Sequence, residues 1–397
     1  MSKKIFQLII TCVLFLAACS SPENTPVKLE EKTTDSENFS IYYNPELIIA
    51  SAEEFLKEKP ITITSFIAER SAGGIHDYYS EGSYWWANPD DPNGPYIRKD
   101  GERNPSNFKE HKKALRNFCI TVTTLTAAYR LTNDERYALH ALKHLQAWFI
   151  DSDTKMNSNL LYAQAIKGIS TGRGIGIIDT VRLIHVAMSV LFLEEKKILN
   201  TENLAGVKKW FNDYSEWLTT HPNGVDERDN DNNHSTWWGA QVAAYAQVAK
   251  RLDILEECQT QFKKQLSIQM SEEGSFPKEL SRTKPFHYMN YNLRAWTSFA
   301  LLASTPSENL WTHQSKNGTL QKAVDWAITF YNNPNTWMYS TDIEKELNPQ
   351  RNDFLLFAYW GLDKKECLEL WTKLEENKNT HDIGGAHLVL WEDRISE

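Results

Sequence analysis

Residues 108–150 read FKEHKKALRNFCITVTTLTAAYRLTNDERYALHALKHLQAWFI. Leu115, Phe118, Cys119, Val122, Leu125 and Tyr129 fall near helical spacing, which predicts one amphipathic helix up to Leu131. Asn133-Asp134 supplies a turn and an N-cap. A second helix then runs from Glu135 to Ile150, with Tyr137, Leu139, Ala141, Leu142, Leu145 and Trp148 as its apolar positions. Similar patterns recur at 175–196, 203–219, 234–253, 255–270, 291–304, 318–333, 351–362 and 365–376, and strand-like alternation is scarce. Paired helices joined by short turns form a solenoid in which each pair buries its apolar face on its neighbours. Closed on itself, that solenoid is an all-α, (α/α) toroid of helical hairpins, an incomplete barrel.

The N-terminus carries a different message. Lys3 and Lys4 precede a short apolar run, Ile5 to Leu16, and Leu16-Ala17-Ala18-Cys19 ends it. The run is too short for a permanent membrane span and reads as an export signal, residues 1–18. Small residues followed directly by Cys resemble a bacterial lipoprotein box, so Cys19 is the expected lipidation site. Ser20 carries no inner-membrane retention signal, which points to the outer membrane of a Gram-negative cell envelope. Residues 19–40, rich in Ser, Thr, Pro, Glu and Asn, cannot bury a core and read as a flexible tether. Residues 41–397 then form the toroid, expected as a monomer. The remaining cysteines, Cys119, Cys258 and Cys367, are an odd, widely spaced set with neither zinc spacing nor a disulfide framework.

A formal net charge of −9 argues against a nucleic-acid partner. With 14 Trp, 16 Tyr and 17 Phe, the chain has flat rings to spare for stacking on pyranose faces. The loop Gly73-Gly74-Ile75-His76-Asp77-Tyr78-Tyr79-Ser80-Glu81-Gly82-Ser83-Tyr84-Trp85-Trp86 packs five of them close together, and its glycines and the prolines that follow exclude a helix. Tyr78, Tyr79, Trp85 and Trp86 are read as a wall or lid over a cleft, with simple packing of the loop against the toroid as the other reading. Gly172-Arg173-Gly174-Ile175-Gly176 lacks the spacing, the preceding strand and the acidic partner of a nucleotide loop. It reads as a close-passing corner, with Gln164 and Arg173 at the rim.

Two motifs carry chemistry. Asn230-Asp231-Asn232-Asn233-His234-Ser235-Thr236-Trp237-Trp238 sets an amide and an imidazole at a helix start. Ser281-Arg282-Thr283-Lys284-Pro285-Phe286-His287-Tyr288 adds a guanidinium and a phenol, with Tyr291 a second phenol one turn on. An amide and a planar guanidinium can hold a carboxylate, while an imidazole and a phenol can move protons. Trp237, His287 and Tyr291 are the further expected substrate contacts.

These motifs, with Glu279-Leu280-Ser281-Arg282, resemble the alginate lyase superfamily: polysaccharide lyase family 5 and, more closely, family 38, which acts on alginate and glucuronan. The resemblance covers most of residues 60–390 and is weakest in the last hundred. It implies an (α/α) barrel, no cofactor, no obligatory metal, and endo-acting β-elimination on an anionic uronan. It carries family roles to Asn233, His234, Arg282 and Tyr288. Asn233 and Arg282 would hold the uronate carboxylate. His234 would be base and Tyr288 acid where C5–H and O4 lie on opposite faces, and a deprotonated Tyr288 could be both where they share a face. The Arg282-to-Tyr288 spacing is one residue shorter than in family 5, and a basic lid residue of that family has no clear counterpart here. Two other readings stand beside this one. A glycoside hydrolase on the same barrel needs two carboxylates, for which Asp226, Asp229 and Asp231 are the nearby acids. A non-catalytic glycan-binding lipoprotein needs no proton-transfer pair.

Overall fold

Asn133 takes a left-handed conformation at φ 57°, ending α2 (Glu110–Thr132), and the Asp134 side chain accepts the Arg136 N–H to start α3 (Glu135–Phe149). This is the hairpin that the sequence of 108–150 predicts. The computed structural model describes residues 41–339, 347–376 and 382–392, which lie within one compact unit, residues 39–397. The expected signal, Cys19 and the tether lie outside the described residues.

Around this hairpin stand α1 (Pro45–Phe55), α4 (Leu183–Glu195), α5 (Thr201–Thr220), α6 (Pro222–Arg228) and α7 (Asn233–Ala249). They are followed by α8 (Leu252–Gln269), α9 (Pro277–Leu280), α10 (Pro285–Ala303), α11 (Leu320–Asn332), α12 (Asp353–Leu362), α13 (Lys365–Lys373) and α14 (Ala386–Val389). Helices α2, α4, α7, α10 and α12 touch in succession, and α14 meets α2. They form an inner ring. Helices α3, α5, α8, α11 and α13 pack outside it. The inner helices read accordingly: α7 buries residues around its whole circumference, from Trp238 to Tyr245, as a helix enclosed on all sides must. Gly239 lets α7 approach α10, since a Cβ there would meet the Phe299 ring.

Two differences from the sequence expectation stand out, one at 175–196 and one at the start of α10. The stretch 175–196 is broken into a 3-10 segment, Gly174–Thr180, and α4. Its glycines disfavour a continuous helix, and they are pressed against Asp226 and Ala163. Helix α10 begins at Pro285, well before 291, because proline suits the first helical turn. His287 and Tyr288 therefore sit on a helix, not on the segment leading to it.

Short strands organise the aromatic loop. Strand β1 (Tyr79–Glu81) pairs in parallel with β4 (Tyr162–Ala165), and β2 (Trp85–Trp86) pairs antiparallel with β3 (Ile97–Arg98). The loop thus lies on the wall formed by 162–180. Among the described residues no single helix is long and apolar enough to cross a membrane. Cys119, Cys258 and Cys367 are buried free thiols.

Candidate active site

The α6–α7 corner builds the first half of the site. Asn232, not Asn233, caps α7, accepting the His234 N–H at 3.0 Å. Asn233 is therefore spared for another contact. Its main-chain N–H donates to Glu279 Oε1 at 2.6 Å, and its Nδ2 lies 2.9 Å from both Glu279 oxygens. His234 Nδ1 lies 2.7 Å from Glu227 Oε1, and Asn230 Nδ2 donates to the other oxygen at 3.1 Å. With Nδ1 committed to an acceptor, Nε2 is the nitrogen left for proton transfer. Burial works against the His234 cation, but the Glu227 carboxylate outweighs it and raises the imidazole above its ordinary value. Burial raises Glu227 as well, so the proton between them is held further up the pH scale than on a free imidazole.

The start of α10 builds the second half. Arg282 Nη2 donates to the Tyr288 hydroxyl at 2.8 Å, and its guanidinium lies over the Tyr288 ring at 3.8 Å. The aromatic loop reaches in from above. Tyr84 and Tyr288 share a hydroxyl–hydroxyl bond of 3.1 Å. Asp100 accepts from Arg282 Nη2 at 3.0 Å and Nε at 3.3 Å, from Thr283 at 3.2 Å, and from Arg98 at 2.8 Å. Burial and Tyr84 raise the Tyr288 phenol well above its ordinary value, against the opposing charge of Arg282. The charges of Arg282 and His234 both act on Glu279, so the two halves form one neighbourhood.

At the rim, Gln164 holds a left-handed backbone at φ 49°. It receives Arg173 Nε on its carbonyl at 2.9 Å and Nη2 on its amide oxygen at 3.3 Å. The Arg173 guanidinium faces the Trp85 ring at 5.8 Å. Among the described residues Arg173 makes no ion pair, and burial pulls it down to about 10.

Three expected substrate contacts are corrected. Tyr78 is fully enclosed and donates to Asp179 at 3.2 Å. Tyr79 is 3% exposed and donates to Glu81 at 2.9 Å. Both are sealed where β1 meets β4 and α2. Trp237, also 3% exposed, is packed inside against Tyr291 at 5.1 Å and Arg294 at 5.3 Å. Trp85, Trp86 and Tyr291 are half-buried and His287 is exposed, its ring stacked 6.1 Å from Tyr291. Asp226, Asp229 and Asp231 are exposed; Asp229 pairs with Arg228 and Lys264, and Asp231 with Lys278. Sequence reasoning missed Glu227 and Asp100, and quoted Glu279 and Tyr84 within their motifs without giving either a role. Among the described residues no group of three or more His, Cys, Asp or Glu is placed to hold a metal ion.

A model of the alginate lyase family matches residues 62–337, from the 3-10 turn after α1 to the end of α11 and just beyond. The chain belongs to the alginate lyase family. A crystal structure of an alginate lyase from Bacteroides ovatus is 29% identical, with TM-score 0.78, covering 90% of this chain and 94% of that one. Alginate lyase A1-III from Sphingomonas species A1 is 17% identical, with TM-score 0.54, over 82% of this chain and 90% of that one. A histidine-to-alanine variant of A1-III complexed with a tetrasaccharide is 18% identical, with TM-score 0.59, over 84% and 90%. The A1-III structures share the fold. No curated protein matches the chain. As a member of the alginate lyase family, the chain is a polysaccharide lyase with a helical toroid fold.

Proposed function

We propose that the protein cleaves a 1,4-linked uronan, such as alginate, polymannuronate or glucuronan, by β-elimination within the chain. The convergence of Arg282 and Tyr84 on the Tyr288 hydroxyl, beside the His234–Glu227 pair, carries this reading. In a uronate, C5–H is acidified by the neighbouring carboxylate. A base takes that proton, the electron pair forms the C4–C5 double bond, and O4 departs with a proton from Tyr288. Charge develops on the carboxylate, and donors preorganised there contribute most. Arg282 is oriented by Asp100 along one edge, and its Nη1 is uncommitted among the described residues. One Asn233 N–H joins it.

The raised phenol suits Tyr288 as acid, because it keeps its proton until O4 needs it. Where C5–H and O4 lie on opposite faces, as in guluronate, His234 Nε2 is the base. Where they share a face, as in mannuronate and glucuronate, Tyr288 can serve both steps, as base only in its phenolate form, which the Arg282 charge favours and burial beside Tyr84 opposes. Arg173, with Trp85 and Gln164, takes the carboxylate and ring of a neighbouring uronate.

A hydrolase is disfavoured by the same geometry. The carboxylates in contact with the motif's His234 and Asn233, Glu227 and Glu279, are 0% and 1% exposed, while the exposed Asp229 and Asp231 are paired with Arg228, Lys264 and Lys278. We further propose that Cys19 anchors the mature protein, as a monomer, to the outer membrane; the Leu16–Cys19 box supports this. Incubation with polymannuronate, polyguluronate, glucuronan and pectate, followed by ultraviolet absorbance, tests the activity. Elimination yields a conjugated unsaturated uronate that absorbs; hydrolysis yields reducing ends without it, and a binding protein yields neither.

A further inference from the structure

We propose that Glu279 is a positioning residue for the elimination, acting through Asn233 by dictating which end of its amide can face the substrate. This rests on the assignment of Asn233 to the uronate carboxylate. The two ends of an asparagine amide have nearly the same shape but opposite polarity. At a site where negative charge develops, only the N–H end helps, and a flipped amide would present an acceptor instead.

The surroundings decide between the two. Glu279 is 1% exposed and Asn233 2% exposed, so neither has water as an alternative partner. Glu279 Oε1 already accepts the Asn233 main-chain N–H at 2.6 Å, and both its oxygens lie 2.9 Å from Nδ2. An ionised carboxylate only accepts. It therefore pairs with Nδ2 and repels Oδ1, which excludes the flipped amide. Two oxygens of one carboxylate subtend too narrow an angle at Nδ2 to take both of its hydrogens. The second N–H is left over for the uronate.

Placement supports the same role. Glu279 lies on α9, three residues before Arg282, and the Arg282 main-chain N–H donates to the Glu279 carbonyl at 3.2 Å. One short turn thus sets both groups assigned to the carboxylate. Glu279 faces His234 and Arg282 as the charged groups around it. When Glu279 takes up a proton it can donate to Oδ1, and the amide is free to turn. Activity then falls on the acid side through loss of this orientation, besides any loss from protonating His234.

The test is a double-mutant cycle on kcat and KM, read by the absorbance of the unsaturated product, with thermal melts alongside. Glu279→Gln keeps the shape but can pair with either amide end. It is expected to lower kcat by ~10-fold, short of the ~10²-fold for losing such a donor outright, while KM moves little. Glu279→Asp keeps an acceptor-only group and recovers part of that loss. In an Asn233→Ala background Glu279→Gln costs nothing further in kcat, because the group it acts through is gone. Equal losses from Glu279→Gln with and without Asn233 would overturn the proposal, as would Gln performing as well as Asp with an unchanged acid limb. A purely structural cap would lower the melting temperature in both backgrounds and leave kcat of the folded enzyme intact, which also overturns it. Absence of product absorbance from the wild-type enzyme would instead sink the elimination reading, and this proposal with it.

Discussion

At the scale of single residues, the site is an arrangement of groups whose partners fix what each can do. Tyr288 touches both Arg282 and Tyr84, and its phenol is the proton donor in either stereochemical course. Tyr288→Phe is expected to lower kcat by at least ~10²-fold on every uronan, with the melting temperature kept. His234→Ala should spare mannuronate and glucuronate more than guluronate, as kcat on defined polymers will show; equal losses on all would remove the base assignment. The pH dependence follows from the same pair. Glu227 holds the His234 proton to higher pH than usual, and a protonated imidazole cannot act as base. Cleavage of guluronate should therefore rise with pH through the raised His234 value, and the rise should move to lower pH in Glu227→Gln. The four groups Asn233, His234, Arg282 and Tyr288 were legible as motifs. Three of their pairings were not, because Asn233–Glu279, Arg282–Asp100 and Tyr84–Tyr288 are 46, 182 and 204 residues apart in sequence.

At the scale of elements, the helix starts do the positioning. Asn232 caps α7 and so frees Asn233; Pro285 opens α10 and so raises Tyr288 on its first turn. Asn232→Ala should cost ~1 kcal/mol, seen as a lower melting temperature, and should loosen Asn233 and His234 enough to lower kcat as well. The helical hairpins could be read from periodicity because a 3.6-residue repeat survives in sequence whatever it packs on. The aromatic loop could not be read residue by residue. Its composition announced a loop, but which rings face the cleft depends on how β1 docks on β4, and the register there shifts between Tyr79 and Glu81. Tyr78 and Tyr79 went inward as a result, while Trp85 stayed accessible beside Arg173.

For the whole molecule, closure of the ring is the vulnerable step. Residues 382–392 bridge the gap beside α2 and α12: Asp382 pairs with Arg182 at 2.7 Å, His387 lies 3.2 Å from Asp353, and Glu392 pairs with Arg130 at 3.0 Å. Despite burial, Asp353 and Asp382 raise His387, while His387 and Arg182 lower Asp382. A raised histidine stabilises fully below its unfolded value and loses that contribution as pH rises through the folded one. A lowered carboxylate stabilises above its unfolded value and loses it as pH falls. The melting temperature should accordingly peak between these limits, and His387→Gln should abolish the decline on the alkaline side. Chelation should leave turnover unchanged, since Arg282 and Asn233 supply the carboxylate donors; full loss restored by calcium would assign that task to an ion. Changing Cys19 to Ala should move the protein from the membrane to the soluble fraction.

The central claim is that this toroid eliminates across a uronan with Tyr288 as the acid. The direct measurement is the rate of ultraviolet absorbance growth on the defined uronans, wild type against Tyr288→Phe, with both proteins shown folded by thermal melt. The account predicts a steady rise for wild type on at least one uronan and a rate lower by at least ~10²-fold for the variant. A folded Tyr288→Phe enzyme with near-native turnover, or wild-type cleavage that yields reducing ends without absorbance, would contradict it.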